Sequence, residues 1–125
     1  SSHSTSLSID LCELIERQNA LIFVVSDYDC HFCVASITQW IDDIEEKDEY
    51  IFKNIFGIYF GNKNEPIHYK ILETTKKEVS WHFYSDPNLY LKIEELSTNK
   101  KGPFAVKIKN GEIVYVLEVN TSVYK

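Results

Sequence analysis

Asp29-Cys30-His31-Phe32-Cys33 is the stretch whose reading decides the fold. It follows a continuous apolar run, Leu21-Ile22-Phe23-Val24-Val25, whose β-branched and aromatic content predicts a central strand covered on both faces. It precedes a segment in which Cys33, Ile37, Trp40, Ile41 and Ile44 recur at helical spacing, so one long helix is expected from Cys30 to about Glu46. A helix N-terminus carries orphan N–H groups and partial positive charge, which favour a thiolate. The thiolate is the nucleophile of disulfide exchange, so a Cys-x-x-Cys pair at a strand-to-helix junction points to redox chemistry.

Working outward, Ser8 to Arg17 reads as a helix with Ile9, Leu11, Cys12, Leu14 and Ile15 on a broad apolar face, after a polar tail at residues 1–6. Downstream of the motif helix a second strand is placed at Ile55 to Phe60, closed by Gly61-Asn62-Lys63-Asn64. A helix from Pro66 to Lys77 follows, then a short extended piece from Trp81 to Tyr84. Asp86-Pro87 starts another helix, with Leu89, Ile93 and Leu96 as its buried stripe. Phe104 to Ile108 and Ile113 to Val119 form a hairpin around Asn110-Gly111, the pair a tight primed turn requires.

With 125 residues the chain fits one compact domain. Its 13 Lys and Arg against 19 Asp and Glu give a net charge of −6 and no basic stripe, so nucleic acid is not an expected partner. Apolar runs fall well short of the ~20 residues of a membrane-spanning helix. The start Ser1-Ser2-His3, without Met, fits a form cut from a longer precursor, a removed secretory signal being one cause and an expression scar another.

Three cysteines are too few for a disulfide framework. Cys12 lies on an apolar helix face and reads as a packing residue. Zinc would need four ligands, recruited from Cys12, His68 or His82 on distant elements, so no metal is expected. His68 and His82 read as surface or partly buried structural residues, and Trp40 and Trp81 as core aromatics, Trp81 with a second reading as a groove wall. The acidic run Asp42 to Glu49 reads as a solvated helix end. Tyr28 and Phe32 are different: aromatics beside a reactive motif have few packing explanations, and they are candidates for contact with a protein client.

A β-α-β unit with Cys-x-x-Cys at the helix start, followed by a proline leading into an Asn-Gly hairpin, resembles the thioredoxin-like superfamily over about Leu7 to Val119. The insertion between the second strand and that hairpin, including Trp81 to Leu96 with Asp86, resembles the TlpA-like thiol-disulfide oxidoreductases in particular. The resemblance implies an α/β thioredoxin-like fold over residues 7–125, a central mixed β-sheet flanked by helices on both faces. It implies disulfide exchange with protein thiols or disulfides, without a cofactor, in an extracytoplasmic (periplasmic or secreted) location. Cys30 would attack and Cys33 resolve. Pro103 would be cis and face them, with His31, Gly102 and Pro103 joining Tyr28 and Phe32 against the client.

Three positions depart from the family pattern. Asp29 stands where a Trp usually precedes the first cysteine, Val24 where thioredoxin has a buried acid, and His31-Phe32 where thioredoxin has Gly-Pro. A carboxylate beside Cys30 raises its pKa and an imidazolium lowers it, so Asp29 and His31 are expected to oppose each other. The competing reading is a redox-inactive interaction module whose two cysteines merely staple a loop.

Overall fold

β-Branched and aromatic residues alternate sides along the strand before the motif, and the sheet is built around that alternation. A computed structural model describes residues 19–85 and 101–125, together with Asn88, Leu91 and Glu95. The helix expected at Ser8 to Arg17 with Cys12, the Asp86-Pro87 start and Leu89, Ile93 and Leu96 stripe of the later one, and Lys100 lie outside the described residues. The elements are β1 (Asn19–Ser26), α1 (His31–Ala35), α2 (Ile37–Lys47), α3 (Glu49–Phe52), β2 (Ile55–Phe60), α4 (Tyr69–Thr75), β3 (Val79–Tyr84), β4 (Phe104–Lys109) and β5 (Glu112–Glu118). The protein is α/β, with a five-stranded mixed sheet in the order β3-β2-β1-β4-β5.

β1 sits at the centre, parallel to β2 (Leu21 opposite Ile55) and antiparallel to β4 (Val24 opposite Phe104). Leu21, Phe23 and Val25 project to one face, where Val34, Ile37, Trp40 and Ile44 cover them. Ala20, Ile22 and Val24 project to the other, with Phe56, Ile58, Phe104 and Ile108. Burial on both faces is why β1 reads as an unbroken apolar run rather than an alternating one. The hairpin closes as expected, with Asn110 (φ 55°) and Gly111 (φ 78°) both in the left-handed region.

Several expectations need correction. The motif helix is two helices, broken at Ser36: the Ser36 hydroxyl donates to the Phe32 carbonyl and the Thr38 hydroxyl to that of Ala35, bonds that compete with the helical ladder. The helix expected from Pro66 to Lys77 spans only Tyr69–Thr75. The extended piece at Trp81 is a six-residue strand, β3, parallel to β2. Trp81 lies over Gly57, where a methyl group would come within 2.2 Å of the indole, and its Nε1–H donates to Thr75 Oγ1 (3.0 Å). That is packing, not a groove wall. The acidic run is not solvated to its end either, because Asp48 caps α3 by accepting from the Ile51 N–H (3.1 Å).

Candidate functional site

Two neighbouring parallel strands deliver their carboxyl ends side by side, and the loops that follow β1 and β2 therefore meet. The first is a tight turn: the Asp29 N–H donates to the Ser26 carbonyl (3.1 Å), while Asp29 Oδ2 accepts from the Ser26 N–H (2.8 Å). Asp27 faces the second loop. Its Oδ1 accepts from the Tyr59 hydroxyl and from the Ile67 N–H (3.2 Å), and Tyr59 Oη accepts in turn from the His68 N–H (3.3 Å). At Gly61 a methyl group would stand 2.4 Å from the Asp27 carboxylate, so any larger residue would displace that side chain.

This turn sets Cys30 in extended backbone (φ −60°, ψ 134°) at the N-cap of α1, its carbonyl accepting from the Val34 N–H (2.9 Å). Cys30 and Cys33 are free thiols that come within 2.9 Å of each other, Cys30 exposed and Cys33 half-buried. Their proton affinities separate. Cys30 is held below the ordinary thiol range, chiefly by the Cys33 thiol and then by the Cys33 and Phe32 backbone N–H groups at the helix start. The Asp29 carboxylate opposes this and is the weakest of the contributions. Cys33 is pushed up to about 11, first by its hydrogen bond with Cys30 and then by burial.

Of the two residues expected to oppose each other at Cys30, Asp29 raises its proton affinity as expected, and the His31 ring packs against another imidazole. The His31 imidazole stacks on that of His68, with centroids 5.8 Å apart and planes 22° apart. His68, expected at the surface or partly buried, is buried outright: it is 1% exposed, and neither ring nitrogen has a hydrogen-bond partner. Burial holds its pKa below the usual histidine value, and the nearby backbone of Asp29 and Ser26 pulls the other way too weakly to reverse that.

Tyr28 and Phe32 are exposed beside the cysteines, as expected. Gly102-Pro103 is a cis peptide, with Pro103 buried; the loop abuts the motif, since a methyl group on Gly102 would stand 2.6 Å from Asp29 Oδ1. Val24 is buried on the far face opposite Phe104, so that position of β1 supplies no carboxyl group. His82 lies on β3, opposite Ile58 and away from the motif strand. Among the described residues no cluster of His, Cys, Asp and Glu is suited to a metal ion. None of their helices is long and apolar enough to cross a membrane.

Sequence reasoning missed Asp27, Tyr59 and His68. The available signal was topological: in a parallel pair, loops at the carboxyl ends of adjacent strands build the site. No protein-family model matches this chain, and no curated protein matches it.

Proposed function

We propose that this chain is a thioredoxin-like thiol-disulfide oxidoreductase, of the TlpA-like kind its sequence resembles, exchanging disulfides with protein clients through Cys30 and Cys33. One observation carries the reading: two free thiols within 2.9 Å whose environments push their proton affinities apart, the exposed one down and the half-buried one up. The sheet order and the proline loop against the motif support it. An extracytoplasmic site of action belongs to the same proposal and comes from the resemblance alone.

In the reducing direction the Cys30 thiolate attacks one sulfur of a client disulfide, forming a mixed disulfide and releasing the other client sulfur as a thiolate. Cys33, once deprotonated, attacks the Cys30 sulfur, forming the Cys30–Cys33 disulfide and releasing the second client thiolate. Two electrons pass from the protein dithiol to the client, and the reverse sequence oxidises a client dithiol. The Cys30–Cys33 reduction potential decides which direction prevails.

Cys33→Ser removes the resolving thiol and is expected to accumulate covalent client adducts on Cys30, visible on non-reducing gels, whereas Cys30→Ser accumulates none. Alkylation of the reduced protein should modify Cys30 first, with a pH midpoint below the ~8.5 of an ordinary cysteine. A normal or raised midpoint, together with no adducts in Cys33→Ser, would favour the redox-inactive interaction module. The buried Val24, which offers Cys33 no proton acceptor, is the observation on that side.

A further inference from the structure

We propose that residues 61–68, between β2 and α4, form a strap that acid opens: fastened at neutral pH to the turn before Cys30, it is released when His68 and the His31 stacked on it take up protons. The device uses neither thiol and goes beyond the exchange reading. Residues 62–65 are exposed and bond within themselves, Asn64 N–H to Asn62 Oδ1 (2.9 Å). Among the described residues the ties of the strap lie at its two ends. At the first, the Gly61 N–H donates to the Tyr84 carbonyl of β3 (3.1 Å). At the second, the Ile67 N–H donates to Asp27 Oδ1 (3.2 Å) and the His68 N–H to Tyr59 Oη (3.3 Å).

The second end closes on a ring that tolerates only one protonation state. The His68 imidazole is buried with both nitrogens unpartnered, faces the exposed His31 imidazole at 5.8 Å, and meets the Tyr59 ring at 6.4 Å and 66°. A neutral imidazole can be held there at the cost of its unmade hydrogen bonds. A charged one is far more costly, because it gives up water without gaining a partner. A second imidazolium in the same stack repels it as well. Water reaches His68 only when the strap lifts, so protonation and opening favour each other.

The groups packed around His68 set the sign. From the turn after β1, the Asp27 carboxylate and the backbone of Asp29 and Ser26 favour the charged ring, while from α1 His31 opposes it. From β2, the Tyr59 hydroxyl adds no charge, because burial and its bond to Asp27 hold it protonated. Burial of His68 outweighs the groups that favour its charge, so the closed strap resists a proton that a solvated histidine takes at ~6.5. Closure is fully supported above that pH and weakens as the pH falls below it. Opening also removes the ring beneath His31, so the same proton repositions the residue that follows Cys30.

Amide hydrogen exchange on the full chain, followed by NMR from neutral pH to about 5, spans the range in which histidine titrates. Corrected for the intrinsic pH dependence of exchange, protection at the Ile67 and His68 amides should fall by up to about tenfold per pH unit below ~6.5, while Phe23 and Val24 in β1 keep theirs. The His68 ring resonances should move with the same midpoint as the strap amides. His68→Phe keeps a ring that does not titrate and should hold its protection throughout. His31→Phe keeps the stack without its charge and should show a smaller loss than the parent protein. Cys30→Ser should respond as the parent does, so a failure of the exchange reading leaves the strap standing. Unchanged protection at Ile67 and His68 would overturn the proposal, as would a His68 ring that titrates while those amides stay protected. An equal loss in His68→Phe would assign the response to Asp27 instead, and a parallel loss in β1 would make it acid unfolding of the whole protein; either result overturns the strap. Should both Phe variants fail to fold, the comparison of strap with β1 in the parent protein decides.

Discussion

The segment after β5 and the loops after β1 and β2 treat buried polar groups in opposite ways. From Val119, level with the carboxyl end of β1, the chain returns along α2 toward the amino end, where Trp40 Nε1–H donates to the carbonyls of Val119 (2.9 Å) and Ser122 (3.0 Å), and the Tyr124 hydroxyl donates to Asp48 Oδ2 (2.7 Å). Further along it the Lys107 ammonium lies 4.7 Å from the centre of the Tyr124 ring and donates to the Lys125 carbonyl (2.8 Å). In the loops after β1 and β2, His68 is 1% exposed with both ring nitrogens unpartnered, and large aromatics stand in water around a thiol of lowered proton affinity. An unmade buried hydrogen bond costs stability, about 1 to 3 kcal/mol for a neutral group. The difference teaches that one region is arranged for stability and the other gives some of it up for a reactive surface.

Substitutions should move the two regions in opposite directions. Trp40→Ala removes a fully buried indole and both of its hydrogen bonds, and should cost about 3 to 5 kcal/mol in urea unfolding while the folded fraction keeps its Cys30 alkylation rate. Tyr124→Phe should cost about 1 to 3 kcal/mol, because it leaves Asp48 short of a donor. His68→Phe keeps a ring beneath His31 and deletes the unpartnered nitrogens, so it should gain about 1 kcal/mol at neutral pH. If that variant were destabilised, the contrast between the two regions would fail.

A pH series sharpens the last case. His68 has a folded pKa below its unfolded value of ~6.5. Above that pH the ring is neutral in both states. As pH falls through it, the unfolded chain takes up a proton that the folded protein resists, so stability falls with pH. His68→Phe lacks this loss, and its advantage over the parent protein should widen as the pH is lowered from neutrality.

Legibility followed the range of the signal. The continuous apolar run Leu21 to Val25, the Asn110-Gly111 turn and the Cys30-x-x-Cys33 junction are local patterns, and the strand, the turn and the helix start each appeared where expected. Trp81 to Tyr84 was underread because a half-buried edge strand shows a weak alternation, and what holds it, Trp81 over Gly57, joins residues distant in sequence. The helix break at Ser36 and the cap at Asp48 depend on side-chain hydrogen bonds that periodicity does not register.

By itself, the sequence determined where the strands lie, which faces of β1 are buried, and that a Cys-x-x-Cys pair opens a helix, because these follow from side-chain period and backbone sterics over a few residues. Only the tertiary structure decided that His31 stacks on His68, that Asp29 is outweighed, and that the two thiols part in proton affinity. Those outcomes depend on which groups the parallel register of β1 and β2 brings within a few ångströms. Electrostatic and desolvation energies vary steeply over that distance, and residues 31 and 68 become neighbours only when the chain folds.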